Sequence, residues 1–215
     1  MRKLSEEKLI AERERLEQMK AYEQAYASYS AICGIDEAGR GPLAGPVVAG
    51  AVILPKDCEI LFLNDSKKLT EKRREALFVE IKEKAVAWSV GIVDAEAVDR
   101  INILQATYEA MRKAIAGLSV SPNVLLNDAV EIPGVNIPQV KIIKGDAKSI
   151  SIAAASILAK VTRDHLMTEY DRQYPVYGFA RHKGYGTGAH IAAIQEFGGC
   201  PIHRRTFIRK FTDKL

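Results

Sequence analysis

The sequence predicts an α/β fold, a mixed five-stranded sheet flanked by helices. Short β-branched runs alternate with amphipathic stretches in the order strand, strand, helix, strand, helix, strand, strand, helix, which is typical of such a sheet. Hydrophobic residues make up 47% of the 215 residues and charged residues 27%, a balance that can bury a core. The apolar runs are too short to span a membrane and no signal peptide is evident, so we expect a soluble intracellular protein with no membrane partner.

Charge patterning divides the chain into three parts. Residues 1–30 balance basic against acidic side chains and carry a sparse apolar stripe, which predicts a charged helical appendage, either docked on one face or partly free. A sheet domain is expected over residues 31–175, and a basic, helical C-terminal segment packed on it over 176–215. From residue 160 onward the chain holds ten basic and five acidic residues and all four histidines, so this part can face a polyanion.

Each predicted element has a local signal. The first strand begins near Ala31 and stops at Asp36, and the later strands are β-branched runs. Thr70 and Asp94 are suitable N-caps for two helices, and the second of these is expected to run to Gly117. The other predicted strands and the last long helix lie at residues 47–54, 87–93, 123–128, 139–146 and 147–174.

Four carboxylates stand where predicted strands end. Asp36 and Glu37 follow the first strand, and Asp128 and Asp146 close the fourth and fifth. Ligands bind at strand ends in open α/β sheets, so neighbouring strands would bring the four acids to one edge. Carboxylates that close repel one another unless a cation neutralises them, and oxygen ligands without histidine or cysteine favour Mg²⁺ or Mn²⁺. Each aspartate alone could equally be a helix cap, but capping explains an adjacent Asp-Glu pair poorly.

A hard-ion site and a basic segment together favour phosphodiester hydrolysis. Two divalent ions about 4 Å apart can activate water and stabilise a leaving oxygen. The sequence contains no GxxxxGKS/T phosphate loop and no helpful Ser-His-Asp or Cys-His pairing, which disfavours triphosphate hydrolysis and acyl transfer. The three cysteines are widely spaced and suggest neither a disulfide framework nor a zinc site.

Five long motifs occur in order between about residues 34 and 190: GIDEAGRGPLAGPVVAGAVIL, DSKKL, INILQAT, KGDAKSISIAAASILAKVTRD and YGFARHKGYGT. They resemble the signature blocks of the ribonuclease HII family, the bacterial type 2 ribonucleases H. The resemblance implies a ribonuclease H-like fold and cleavage of the RNA strand of RNA/DNA hybrids. It also implies cutting 5′ of single ribonucleotides embedded in duplex DNA, giving 3′-hydroxyl and 5′-phosphate ends. Two Mg²⁺ or Mn²⁺ ions would bind with substrate at the catalytic residues Asp36, Glu37, Asp128 and Asp146.

The resemblance further implies two substrate-binding loops. Gly39, Arg40 and Gly41 would contact nucleotides at the RNA-to-DNA junction, largely through backbone groups, because glycine lets a backbone approach a ligand closely. Tyr185 would pack on the deoxyribose that follows the ribonucleotide. From the residues alone, the glycine loop could instead be a tight turn, and the tyrosine could be a surface packing residue.

Six further polar residues are expected to contact the nucleic acid. The lysines would meet phosphates, and the two amide side chains lie three residues apart on one predicted helix face. Solvated surface positions are the alternative for all six. They are Lys67, Lys68, Asn102, Gln105, Lys144 and Lys148.

One position departs from the family pattern. Asn127 precedes Asp128 and Ala129 follows it, where the family usually has an apolar residue and often glycine. An asparagine is comfortable there only if its amide is hydrogen-bonded or exposed. This departure leaves the local strand geometry open, while the role of the acid is unaffected.

The sequence leaves two alternative functions open. The sister ribonuclease HIII family shares the acids but normally has a longer N-terminal domain than residues 1–30 provide, and the Gly-Arg-Gly loop and Tyr185 favour the HII type. A catalytically silent nucleic-acid-binding module would use only the basic C-terminal segment. The resemblance also suggests a cytoplasmic monomer in replication and repair. A sliding clamp is a candidate partner, although no clamp-binding motif is evident.

Overall fold

The computed structural model describes residues 5–212 and shows the expected mixed sheet. Residues 1–4 of the predicted appendage and 213–215 of the predicted C-terminal segment lie outside the described residues. The strands of the described part are β1 (Ile32–Ala38), β2 (Val47–Ile53), β3 (Ala87–Val93), β4 (Val124–Asp128) and β5 (Gln139–Ile142). They form one sheet in the order β3-β2-β1-β4-β5, which confirms the predicted five-stranded sheet.

The central strand β1 sits between an antiparallel and a parallel neighbour. It pairs antiparallel with β2 and parallel with β4. Beyond these, β3 pairs antiparallel with β2, and β5 pairs parallel with β4. Parallel pairing aligns the C-terminal ends of β1 and β4, where the predicted acids occur.

Helices cover both faces of the sheet. The helices up to residue 173 are α1 (Glu6–Met19), α2 (Ala21–Ala25), α3 (Glu71–Lys84), α4 (Ala95–Ile101), α5 (Ile103–Ala116) and α6 (Ile150–Gln173). The C-terminal part is helical, as predicted, with α7 (Phe179–His182), α8 (Gly188–Phe197) and α9 (Arg205–Thr212). Helix α6 covers one face with α3 beside it, and α5 covers the other face. None of the helices in the described range is long and apolar enough to cross a membrane.

Glycines allow α6 to lie close to the two central strands. A β-carbon on Gly34 would collide with the backbone of Ser151, and one on Gly50 would collide with the carbonyl oxygen of Ala155. The facing part of α6 is a buried run of alanines at 153–155. Small residues on both sides therefore bring helix and sheet backbones together and fix α6 relative to the strand ends.

The N-terminal helices dock on the α6 face of the sheet. Leu16 and Met19 of α1 are buried in the core cluster that also contains residues of α3 and α6. Glu23 of α2 accepts a hydrogen bond from the hydroxyl of Ser149, the N-cap of α6. The sequence left open whether this N-terminal appendage is docked or partly free, and the structure shows that it is docked. The domain boundaries after residues 30 and 175 stay predictions.

The predicted helix after Asp94 is in fact two helices. Thr70 and Asp94 cap α3 and α4 as expected. Asn102 then interrupts the helix with a φ of 65°, and its Oδ1 accepts hydrogen bonds from the amides of Leu104 and Gln105 at the start of α5. The apolar spacing continues through this break, so periodicity does not show it.

Two strands end two or more residues away from their predicted ends. β1 continues past Asp36, because its antiparallel pairing extends until Ala38 lies opposite Val48. β5 ends at Ile142, since Lys144 then adopts a left-handed backbone conformation with φ 58°.

Candidate active site

Three aspartates meet at the C-terminal ends of the parallel strands. The paired register of β1 and β4 ends one residue before Asp36 and Asp128, so these two lie side by side. Asp146 comes from the short 3₁₀ turn Gly145–Ala147 that precedes α6. One carboxylate oxygen from each of the three lies within 4.8 Å of the others. The structure therefore brings together three of the four predicted acids.

Strand alternation separates Glu37 from this group. Successive side chains of a strand point to opposite faces, so Asp36 faces α6 while Glu37 turns away from it. Glu37 Oε1 instead accepts a hydrogen bond from Arg40 Nη1 at 3.3 Å. Burial raises the pKa of Glu37 and the charge of Asp128 adds to this increase. The positive charge of Arg40 lowers the pKa, but the net change is upward. Glu37 thus borders the three-aspartate group without belonging to it.

Burial and mutual repulsion raise the pKa of two of the aspartates. For Asp36 burial is the largest cause, followed by the negative charges of Glu37 and Asp128, and its pKa lies well above the usual value. Burial also raises the pKa of Asp146, with Asp65 and Asp128 as the neighbouring charges. Such a set is costly to ionise alone, whereas its all-oxygen donors fit a hard divalent cation.

Hydrogen bonds from the backbone orient the carboxylates. The amide of Gly145 donates to Asp128 Oδ1 at 2.7 Å, which links the end of β4 to the turn that carries Asp146. The amide of Glu37 donates to Asp36 Oδ1 at 2.7 Å. Asp36 and Asp128 are therefore held at the sheet edge before any ligand binds.

The segment NDSKKL brings further groups to the acids. Burial lowers the pKa of Lys67, but the surrounding aspartates, Asp36 first among them, raise it above its usual value. Ser66 and Ser156 are both buried and share a hydrogen bond of 2.9 Å, and the Ser156 hydroxyl favours the ionised form of Asp36. Sequence reasoning missed Asp65, Ser66 and Ser156, because no pattern shows that the turn before α3 lies against α6.

The loop between β1 and β2 presents the predicted Gly-Arg-Gly segment. Gly39 has a φ of 96°, and a β-carbon there would collide with the side chain of Arg163. Gly41 borders open space, since no atom beyond Gly41 and its two chain neighbours lies within 4 Å of where its β-carbon would be. Arg40 is exposed beside Glu37. Gly39 is therefore needed by the fold itself, whereas Gly41 is free to meet a ligand.

Tyr185 lies on a loop adjoining this one. The amide of Leu43 donates to the carbonyl of Gly184 at 2.8 Å, which joins the two loops. Tyr185 is 45% exposed, while its carbonyl accepts a hydrogen bond from His190 Nδ1 at 2.9 Å. The ring is thus accessible on a firmly held backbone.

The other predicted contacts occupy exposed positions. Asn102 and Gln105 do not share a helix face, so that prediction is wrong, because Asn102 is the cap between α4 and α5. Lys68 and Lys148 line one surface cavity of about 430 Å³ beside α1. Lys144 precedes the turn that carries the third aspartate. Their roles as nucleic-acid contacts stay predictions.

Asn127 fits the sheet through a side-chain hydrogen bond. It is fully buried, and its Nδ2 donates to Gln139 Oε1 at 2.8 Å, while its Oδ1 has no partner among the described residues. Ala129 adopts a left-handed backbone with φ 56°, a conformation that glycine reaches at lower cost. The β4 strand nevertheless keeps regular pairing as far as Asp128.

A known protein family matches most of this chain. The family model described as Ribonuclease HII matches residues 33–210. The chain belongs to the ribonuclease HII family. A ribonuclease HII of Lachnoclostridium phytofermentans is 65% identical over 206 residues, covering 96% of this chain and 81% of the relative. Another, from Acetivibrio thermocellus, is 57% identical over 213 residues, covering 97% and 83%.

Solved structures show the same fold as this ribonuclease HII family member. The ribonuclease H2 of Pyrococcus horikoshii OT3 superposes with a TM-score of 0.72 at 27% identity, over 86% of this chain and 98% of that one. The ribonuclease HII of an Archaeoglobus fulgidus complex with PCNA gives 0.68 at 26% identity, over 81% and 93%. Bst-RNase HIII, solved in complex with Mn²⁺, gives 0.57 at 18% identity over 78% and 63%, a likeness of fold alone.

Family membership supports a ribonuclease H endonuclease, that is, a nuclease of the hydrolase class. The matching family model and the curated relatives are of the HII type, which favours it over the HIII alternative. The acidic group is also present, as a metal-dependent nuclease requires.

Proposed function

We propose that this chain is a divalent-metal-dependent endonuclease that cuts 5′ of single ribonucleotides in duplex DNA as well as within RNA/DNA hybrids, leaving 3′-hydroxyl and 5′-phosphate ends. The observation that carries the proposal is the group of Asp36, Asp128 and Asp146 at adjoining strand ends, in a chain of the ribonuclease HII family. A catalytically silent binding module would not need three carboxylates held together against their mutual repulsion.

The three aspartates would hold Mg²⁺ or Mn²⁺, and Glu37, which borders them, would join as a ligand only after its carboxylate leaves Arg40. Two such ions would supply activation of a water molecule and stabilisation of the leaving 3′-oxygen. Asp128 and Asp36 are already oriented by backbone amides, so they need little rearrangement to act as ligands. Lys67 lies among the acids, where its ammonium can pair with a substrate phosphate once the carboxylates are neutralised.

The two adjoining loops would read the sugar at the junction. Gly41 offers backbone with open space in front of it, which allows close approach to a ribose 2′-hydroxyl. The exposed ring of Tyr185 would pack on the following deoxyribose. Arg40 and the exposed lysines Lys68, Lys144 and Lys148 would contact flanking phosphates.

The biological setting forms part of the same proposal. The chain would act in the cytoplasm as a monomer on RNA/DNA hybrids and on DNA that contains ribonucleotides. A replication sliding clamp is a candidate partner, and the PCNA complex of the Archaeoglobus fulgidus enzyme supports testing one.

Cleavage-site mapping tests this function. An end-labelled DNA duplex with one ribonucleotide is incubated with the protein and either Mg²⁺ or Mn²⁺, alongside an all-DNA duplex as control. We expect a single cut 5′ of the ribonucleotide and a fragment that a polymerase can extend from its 3′-hydroxyl. Cutting of the RNA/DNA hybrid without incision at the single ribonucleotide would overturn the junction activity, and cutting of the all-DNA duplex would overturn the substrate class.

A further inference from the structure

Arg163 of α6 lies buried beneath both loops. Its side chain is 1% exposed, and each nitrogen of its guanidinium donates to a different backbone carbonyl. Nε donates to Pro46 at 2.9 Å and Nη2 to Ala44 at 3.0 Å, both in the loop between β1 and β2. Nη1 donates at 2.9 Å to Lys183, two residues before Tyr185. One side chain therefore joins the two segments.

The glycines of the first loop make room for this guanidinium. A β-carbon on Gly39 would collide with Arg163 Nε, and one on Gly45 would lie 3.2 Å from Nη2. Both glycines have positive φ, 96° and 87°, so the loop backbone folds directly over the planar group. Arg163 is thus one of the contacts that fix the position of the loop.

The loop that carries Tyr185 is held by the same arginine. Lys183 and Gly184 both have left-handed backbones, with φ 51° and 81°. Lys183 ends α7 in this conformation with its amide donating to the carbonyl of Phe179, and Arg163 binds the Lys183 carbonyl. Because Gly184 and Tyr185 follow directly, the direction of the tyrosine depends on this contact.

Asp164, the acid next to Arg163 in the sequence, forms ion pairs with other residues. Asp164 pairs with Lys160 at 2.7 Å and lies 3.7 Å from Arg74. The hydrogen bonds described for Arg163 all end on carbonyl oxygens of the two loops. A planar fork with three fixed donor directions suits this task, and a lysine, with one ammonium, cannot reproduce it.

We propose that Arg163 is a positioning residue that sets the spacing between the Gly39–Gly41 backbone and Tyr185, and thereby the preference for an RNA-to-DNA junction. This rests on the proposed function, in which one loop contacts the ribonucleotide and the other the next deoxyribose. A uniform RNA strand contains no such deoxyribose. Cleavage of a uniform hybrid therefore depends less on the spacing of the two loops.

The test compares Arg163→Lys with Arg172→Lys, the same change at an exposed arginine of the same helix. Single-turnover rates are measured on the single-ribonucleotide duplex and on a uniform RNA/DNA hybrid. For Arg163→Lys we expect a loss of roughly tenfold or more on the junction and less than about threefold on the hybrid, because a small misplacement has large effects on an oriented substrate. Arg172→Lys should match the wild type on both substrates.

A double-mutant cycle with Tyr185→Ala separates positioning from general weakening. If Arg163 acts through Tyr185, adding Arg163→Lys to Tyr185→Ala should change the junction preference by less than about twofold. Equal losses on both substrates, or fully additive effects in the cycle, would overturn the proposal. A wild-type protein that cuts neither substrate would instead overturn the proposed function.

Folding is checked by circular dichroism before each assay. Should Arg163→Lys fail to fold, Arg163→Gln replaces it, because glutamine keeps two N–H donors without the charge. Failure of both variants to fold would make Arg163 a residue required for folding and would overturn its positioning role.

Discussion

Buried charges have opposite surroundings in the acidic site and in the loop anchor, by which we mean Arg163, Arg204 and the pair His190 and His203. At the site, Asp36, Asp128 and Asp146 come together, and burial raises the pKa of two of them. In the anchor, buried Arg163 and Arg204 are surrounded by hydrogen-bond acceptors. In the first region like charges lie together, and under the proposed function a divalent cation would balance them. In the second region carbonyl groups of the protein itself satisfy the buried cations.

Arg204 shows how complete the anchor is. Its guanidinium makes five hydrogen bonds to the carbonyls of Gly39, Arg40, Pro42 and Gly45. Burial is the main reason that its pKa falls to about 9. The loop that presents the Gly-Arg-Gly segment is therefore held from below by a cation in the C-terminal part of the chain.

Two histidines extend the anchor to Tyr185. The amide of Cys200 donates to His203 Nδ1 at 2.9 Å, so His203 carries its proton on Nε2 and donates it to His190 Nε2 at 2.9 Å. His190 then donates from Nδ1 to the carbonyl of Tyr185. This assignment of tautomers satisfies every ring nitrogen and requires both rings to be neutral.

The largest effect is expected from breaking the acidic site. Asp128→Asn and Asp36→Asn should each lower single-turnover cleavage roughly 10³-fold or more, about 4 kcal/mol of activation free energy, because under the proposed function each would remove a charged metal ligand. Substrate affinity, measured by fluorescence anisotropy, should persist. Glu169→Gln, at an exposed acid of α6, is the control. Full activity of either asparagine variant with Mg²⁺ would contradict the assigned roles.

Breaking the anchor should affect stability more than chemistry. Arg204→Met leaves four carbonyls, most of them buried, without this donor, and we expect a loss of about 3 kcal/mol in the free energy of unfolding. Urea denaturation followed by circular dichroism measures it. Arg205→Met, at the exposed neighbouring position, should stay within about 0.5 kcal/mol of wild type. Equal stability of the two variants would show that the carbonyl contacts contribute nothing.

The neutral histidines make the anchor sensitive to acid. Burial, with repulsion from His190, lowers the pKa of His203 to about 4, below the ordinary value near 6.5. Above that ordinary value neither the folded nor the unfolded chain binds the proton. As the pH falls toward 4, only the unfolded chain takes it up, so stability is lost progressively and the loss levels off below pH 4.

Urea denaturation at several pH values measures this loss. Wild-type stability should fall by roughly 2 kcal/mol through His203 between about pH 7.5 and 4.5. His203→Asn lowers the starting stability but should flatten this dependence. His165→Asn, at an exposed histidine, should keep the wild-type slope. An unchanged slope in His203→Asn would contradict the neutral pair.

The smallest expected difference is between alanine substitutions at the two loop glycines, which should separate an effect on stability from an effect on cleavage. Gly39→Ala should cost about 2 kcal/mol in the free energy of unfolding, because its φ is strained for alanine and its β-carbon would displace Arg163. Gly41→Ala should change stability by less than about 0.5 kcal/mol, since it borders open space. Gly41→Ala should still weaken junction cleavage while Mn²⁺ affinity stays at the wild-type value. Equal thermal stability of the two variants would show that Arg163 does not constrain the loop.

The acidic site could largely be predicted from the sequence. Acids that follow apolar strands lie at a sheet edge, and the parallel pairing of β1 with β4 places Asp36 beside Asp128. The separation of Glu37 from this group follows from strand alternation, once β1 is seen to extend through both residues. The helix break at Asn102 could not be predicted, because a capping side chain leaves the apolar periodicity intact.

The anchor could not be predicted from sequence patterns. An arginine within a charged helix or in the run HRR is typical of a solvated surface, and its burial depends on carbonyls far away in the chain. The contact between His190 and His203 could not be predicted either, because it joins α8 to the segment before α9 through tertiary packing. Such contacts depend on how the C-terminal helices sit on the sheet, and no local pattern encodes this.

Mn²⁺ binding tests most directly whether the three aspartates form the metal centre. Isothermal titration calorimetry at about pH 7.5 compares the wild-type chain with Asp128→Asn and with the control Glu169→Gln. We expect the wild type and the control to bind alike, and Asp128→Asn to lose roughly tenfold or more in affinity, because a charged oxygen ligand is gone. Identical binding by Asp128→Asn and the wild type would contradict the assignment of the site.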